Sequence, residues 1–196
     1  GISGHSMGGY TTAATLAQDK NVGIISAGLM QAWSSFMGAG DDVSVGFLKA
    51  KDDEFFFTTR ENGGTISRDY LTTTTAKSFL GLGADATIVN KGIYKNGELV
   101  TPAGGQAVDG AFRVIYEISG VHPQNHCSVE GANAVVNFFY SAFGTPNGHE
   151  YIAESHQTWW VKEMFSLIGL IAIFAMIFPL VSLLLTTRFF RSIAIG

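Results

Sequence analysis

Near the start of the chain, Gly4-His5-Ser6-Met7-Gly8-Gly9 has the residue types and spacing to build a nucleophile. The pattern is G-x-S-x-G, in which a strand stops, one serine takes a strained backbone conformation and a helix begins at once. Such a serine needs a positive φ, which a residue with a Cβ tolerates poorly, and side chains at positions 4 and 8 are expected to collide across so sharp a turn. Its hydroxyl then stands clear of the sheet, and the amide of Met7, at the N-terminus of the new helix, is suited to donate to an oxyanion. The chemistry served is acyl transfer through a covalent serine intermediate, which also needs a base for the hydroxyl proton and an acidic group to orient that base. Carboxylates stand together at Asp52, Asp53 and Glu54, and histidines at His122 and His126. His5, beside the serine, reads as structural, and His149 and His156 show no spacing that suggests a metal site.

The elements needed to position these groups are legible in the apolar pattern. A small-residue helix is expected over Met7 to Lys20, and the apolar runs Val22 to Met30 and Val43 to Ala50 have the length and composition of buried parallel strands. Ser67 is suited to cap a helix over Arg68 to Leu82, and Asn96-Gly97 marks a hairpin around Ile93 to Val100. A further strand spans Phe112 to Ile118, and Ser128 caps a last helix in which Val135, Phe138, Phe139 and Phe143 recur at helical spacing. Alternation of strands and helices argues for an α/β fold with a mainly parallel sheet flanked by helices, ending at the turn-rich Gly144 to Gly148.

Composition narrows the functions. The net charge is −4 with no basic cluster, which excludes an electrostatic footprint for nucleic acid, and a single cysteine, Cys127, excludes an intrachain disulfide. Only 14% of residues are charged, in large part because Met164 to Thr187 carries no charge at all. At about 1.5 Å per residue, roughly 20 such residues span a hydrocarbon core of about 30 Å, so this stretch reads as a transmembrane helix, kinked at Pro179. Trp159 and Trp160 precede it at an interfacial position, and Arg188 and Arg191 follow it, which favours a cytoplasmic C-terminal end. The start on Gly1, with Ile2 and Ser3 reading as a strand already ending, is taken as that of a fragment. The expected organisation is a partial domain over 1–144, a linker and interfacial segment over 145–160, a transmembrane helix over 161–187 and the start of a juxtamembrane segment over 188–196.

GISGHSMGGY resembles the elbow of the α/β-hydrolase superfamily, close to the GHSMGG form of its esterases, lipases and dienelactone-hydrolase-like members, and the resemblance extends from Gly1 to about Gly144. HPQNHCS, NFFYSAFG and QTWWVKEMF ahead of the apolar run are similar to a group of bacterial membrane-anchored α/β hydrolases. The resemblance implies the C-terminal part of an α/β-hydrolase fold followed by a transmembrane helix, with a triad in the order serine, acid, histidine. Ser6 would be the nucleophile and Asp53, after the second strand beyond the elbow, the acid, with Asp52 as the alternative. His122 would be the base, with His126 as the alternative. His122 follows its strand by four residues, Gly120 turns the chain just upstream, and Pro123 biases His122 toward an extended backbone, whereas His126 lies beside the cap Ser128. The expected activity is hydrolysis of an ester or other acyl substrate, with Met7 in the oxyanion hole and no metal or organic cofactor; a second donor and further strands are expected upstream of Gly1, so that residues 1–196 by themselves are expected to be inactive. A serine peptidase, an acyltransferase or a catalytically silent domain of a multi-span membrane protein are the competing expectations. The bilayer is the expected partner, with further transmembrane helices beyond Gly196, in a bacterial cytoplasmic membrane with the hydrolase domain extracytoplasmic.

Overall fold

The computed structural model describes residues 1–59 and 64–192. The chain divides into two compact units, the first from Gly1 to His156 and the second from Gln157 onward.

The first unit is an α/β layer built on six strands in the order β1-β2-β3-β6-β4-β5. β1 (Ile2–His5), β2 (Ala27–Gln31), β3 (Ser44–Ala50) and β6 (Arg113–Ile118) run parallel, and β4 (Ile93–Lys95) and β5 (Glu98–Val100) add an antiparallel hairpin beside β6. The sheet is therefore mixed, with a parallel body. The Asn96-Gly97 turn forms as the dipeptide dictates, with φ of 51° and 81°.

Both faces of the parallel body are covered, which is why β3 is buried along its whole length. On one face, α1 (Met7–Asp19) sets Ala13 and Leu16 against a cluster that holds Val45, Phe47 and Ile115. On the other, α4 (Val129–Phe143) sets Ala134 and Phe138 against Leu29, Leu48 and Val114. Gly46 brings α4 this close, because a Cβ there would meet the Phe138 ring at 3.0 Å and Leu29 at 2.9 Å. Ser128 caps α4 by accepting from the Gly131 amide at 2.9 Å, as expected.

Four local expectations shift. Only Ala27–Gln31 of the Val22 to Met30 run becomes strand, because the Asp19 carboxylate accepts the amides of Ile24 and Ile25 and holds the preceding residues in a turn. The helix expected over Arg68 to Leu82 splits into a 3-10 turn, Ser67–Thr72, and α2 (Thr74–Phe79). Thr73, not Ser67, caps that helix: its backbone is extended and its hydroxyl accepts from Ala76. A β-branched hydroxyl residue offers the chain this alternative to continuing a helix. Within α4, Phe138 is fully buried, but Phe143 is 50% exposed and stacks on Phe139 instead of joining the core.

Beyond Gly144 the chain stays with this unit, Thr145 donating twice to the Gly105 carbonyl and the Tyr151 hydroxyl to Glu154. The second unit is α5 (Trp159–Leu185), which runs 27 residues without interruption through Pro179, followed by α6 (Arg188–Arg191). α5 is about 40 Å long. It is long and apolar enough to cross a membrane.

One ion pair is buried in the sheet. Lys49 and Glu117 face each other across β3 and β6, with Nζ 2.6 Å from Oε2 and no exposed surface on the lysine side chain. Burial pushes the Lys49 pKa down, and the Glu117 carboxylate opposes that shift. Removing one partner of such a pair leaves the other charge unpaired, so Lys49→Ala should lower the unfolding free energy by about 3 to 5 kcal/mol. Urea unfolding of the full chain in detergent micelles measures this, and the Lys49→Met, Glu117→Leu double variant should recover most of the loss. A Lys49→Ala protein as stable as the parent would show that the pair contributes nothing.

Candidate active site

Ser6 stands between the last residue of β1 and the first of α1, with φ 57° and ψ −112°. This is the strained conformation expected at the turn, and it costs on the order of 1 to 3 kcal/mol that the surroundings must offset. Two backbone bonds hold it: the Ser6 amide donates to the Gln31 carbonyl at 2.9 Å, and the Ser6 carbonyl accepts from Tyr10 at 3.0 Å. The hydroxyl does not cap the helix. The Met7 amide, at the first position of α1, has no carbonyl of its own helix to bind.

The steric reading of the glycines needs one correction. A Cβ at Gly4 would lie 2.5 Å from the Gly8 carbonyl oxygen, as expected, but a Cβ at Gly8 would meet nothing within 4 Å. The second constrained position is Gly9, where a Cβ would come within 2.6 Å of the Gln31 carbonyl oxygen and 2.7 Å of Trp33. The crowding comes from β2 and the residues after it, which the spacing within the motif does not encode.

Asp53 follows β3 and is 4% exposed. Its Oδ1 accepts the amides of Phe55 and Phe56 at 3.0 and 2.9 Å, and its Oδ2 lies 2.9 Å from His122 Nδ1. Asp52 points elsewhere: its Oδ1 takes Nε and Nη2 of Arg68 in an exposed pair. A carboxylate at Nδ1 means that this nitrogen donates, so in the neutral ring Nε2 carries the lone pair.

His122 is 7% exposed and is held by its backbone as well. Its amide donates to Glu54 Oε2 at 3.0 Å, and its carbonyl accepts from Asn125 Nδ2 at 2.9 Å and from His5 Nε2 at 3.1 Å. A carbonyl only accepts, which fixes the proton of His5 on Nε2. The residue directly before the serine therefore reaches the residue bound to the acid. Burial lowers the His5 pKa, with smaller contributions from His126 and His122, while the bond to the His122 carbonyl opposes the shift. His126 is exposed on α3 (Gln124–Cys127), its ring 4.1 Å from that of His5.

A chain of rings borders the group. Tyr10 meets Trp33 at 5.3 Å, Trp33 meets Phe56 at 4.9 Å, and Phe56 and Phe55 flank His122 at 5.5 and 5.0 Å. Sequence reasoning placed Glu54 among the carboxylates but missed its bond to the His122 amide, and missed Asn125, Trp33 and the two phenylalanines. Only the run Asp53-Glu54-Phe55-Phe56 offered a signal, since a turn-forming aspartate beside the strand end brings its next residues along with it. Among the described residues, no group of three or more His, Cys, Asp or Glu side chains is arranged to hold a metal ion. A cavity of about 730 Å³ lies elsewhere, and neither Ser6, Asp53 nor His122 lines it. No family model, curated protein or solved structure matches the chain.

The Asp53–His122 bond has a spectroscopic consequence. A proton shared between a buried carboxylate and Nδ1 should give a protected, far-downfield 1H resonance in the full chain. Asp53→Asn should remove or strongly shift that resonance and Asp52→Asn should leave it, whereas the reverse pattern would assign the contact to the wrong carboxylate.

Proposed function

We propose that the chain carries a serine hydrolase unit of the α/β-hydrolase type, anchored to a membrane by α5, that cleaves esters or other acyl substrates. The observation that supports this best is the positive φ of Ser6 at a strand-to-helix turn, with a carboxylate-bound histidine at the same end of the sheet. In the proposed reaction His122 Nε2 takes the Ser6 hydroxyl proton while Oγ bonds to the acyl carbon. The developing oxyanion accepts from the Met7 amide. The bond to the leaving group then breaks, and the imidazolium returns its proton to that group. Water, deprotonated by the same nitrogen, hydrolyses the acyl enzyme and restores the serine. Asp53 holds the ring in the required tautomer and stabilises its cation. The wall of Tyr10, Trp33 and Phe56 suits an acyl or leaving group with a flat, apolar body.

A fluorophosphonate probe should label the full-length protein in detergent, and Ser6→Ala should abolish labelling. His122→Ala should lose most of it, His126→Ala should retain much of it, and Asp53→Asn should slow acylation by up to about 10⁴-fold. Labelling that survives Ser6→Ala, or a parent that is never labelled, would sink the proposal in favour of a catalytically silent domain.

For the anchor, Trp159 and Trp160 at the start of α5 and Arg188 and Arg191 beyond it favour an interfacial N-terminal end and a cytoplasmic C-terminal end. The hydrolase unit is then extracytoplasmic in a bacterial cytoplasmic membrane. Cys127 is exposed and unpaired, so it reports on this directly. A membrane-impermeant maleimide should label it in intact cells, with Cys127→Ser as the blank, and labelling only after lysis would reverse the orientation.

A further inference from the structure

A cavity of about 730 Å³ reaches the end of the sheet opposite Ser6. Ser6, Asp53 and His122 follow the C-terminal ends of β1, β3 and β6, whereas Arg113 and Phe112 of the cavity sit where β6 begins. A strand of this length separates the two ends by about 20 Å. The cavity lies beside the connection from β2 to β3, residues 32–43, which carries no helix, and the buried Phe47 of β3 forms part of its wall. Phe79 of α2 packs on Phe47 at 4.3 Å, and Phe36 from the connection meets Phe79 edge-on at 5.5 Å.

Among the described residues, Arg113 brings the one cation to this aromatic lining. Its guanidinium lies over the Phe36 ring, 5.7 Å from the centroid, and its Nη1 donates to the carbonyls of Val43 and Phe112. Those two bonds leave Nε and Nη2 without an acceptor among the described residues, and this is the parallel pair of donors that matches a carboxylate. Asp41 also lines the cavity, yet among the described residues it forms no ion pair with Arg113. Burial lowers the Arg113 pKa and Asp41 only partly offsets that, as expected for a half-buried cation lacking a close counter-ion. The presence of Asp41 disfavours a polyanion such as a phosphate and leaves room for one negative charge.

We propose that this cleft binds an organic monocarboxylate, its carboxylate on Nε and Nη2 of Arg113 and its aromatic or alkyl body against Phe36, Phe47 and Phe79. A volume in the range of ordinary small-molecule sites, apolar walls and a single oriented cation are the features of such a site. The site is independent of the Ser6 chemistry.

Titration of the full chain in detergent micelles with 4-(trifluoromethyl)benzoate, followed by 19F NMR against micelles alone, tests this. The parent should bind saturably, and 4-(trifluoromethyl)benzamide, of the same shape without the charge, should bind about tenfold more weakly or worse. Arg113→Gln should weaken the acid by a similar factor, and Ser6→Ala should leave its affinity unchanged. Phe36→Ala, at a partly exposed ring, provides a second variant that should also weaken binding should Arg113→Gln fail to fold. No saturable binding by the parent, equal binding of acid and amide, loss of binding in Ser6→Ala, or parent affinity in the cleft variants would each overturn the proposal.

Discussion

The bond between Asp53 Oδ2 and His122 Nδ1 joins two loops whose residues lie 69 apart in sequence, and the order of the upper edge of the sheet follows from it. Asp53 can reach His122 because β3 and β6 are adjacent and parallel, in a register that sets Ala50 beside Ile118 and brings both strands to their ends together. The same carboxylate ties down Phe55 and Phe56 through its other oxygen, and those rings then pack against the imidazole it holds. One buried anion thus organises a turn, a ring and a strand-to-strand junction. Asp52, one residue earlier, is on the outward side of the turn and spends its charge on an exposed arginine, a contact that contributes little in water.

Around that bond the backbone of His122 is fixed at both its amide and its carbonyl, the first by Glu54 and the second by His5 and Asn125. Preorganisation of this sort would serve the proposed acyl transfer, since a base that must be found by diffusion of a loop forfeits the advantage of proximity. His5 links this cluster to the elbow, so the strained Ser6 and the buried histidine are parts of one network.

The two ends of the sheet are chemically unlike. Groups with matched donors and acceptors gather where the parallel strands finish, the usual place for reactive residues in open α/β sheets. Where they begin, an irregular crossover leaves aromatic rings and a half-buried arginine around a large cavity. Between them the Lys49–Glu117 pair runs through the sheet, a pair of charges that a core of this kind tolerates only because each satisfies the other. The apolar helix obeys a different constraint, since with every face apolar and its backbone bonded internally it suits a medium without water, and Pro179 removes only the bond to the Ala175 carbonyl.

Much of this was fixed by local chemistry and could be read in the residues. G-x-S-x-G dictates the turn and the positive φ at Ser6, Asn96-Gly97 dictates the hairpin, Ser128 caps its helix, and an uncharged run declares a helix long and apolar enough to cross a membrane, because each depends on neighbours a few residues away. The α/β alternation was equally legible, as strand and helix periodicities are local. The tertiary structure alone decided the rest. Which of Asp52 and Asp53 meets a histidine, and that the histidine is His122, depend on the register of β3 against β6 and on which side of a turn faces inward. That Gly9 and not Gly8 is crowded depends on where β2 lies, and the breaking of the expected helix at Thr73 depends on a hydroxyl winning over a continued ladder. The ring wall from Tyr10 to His122 and the Arg113 cleft draw on segments far apart in the chain, brought together by packing, and no spacing along the sequence carries such contacts.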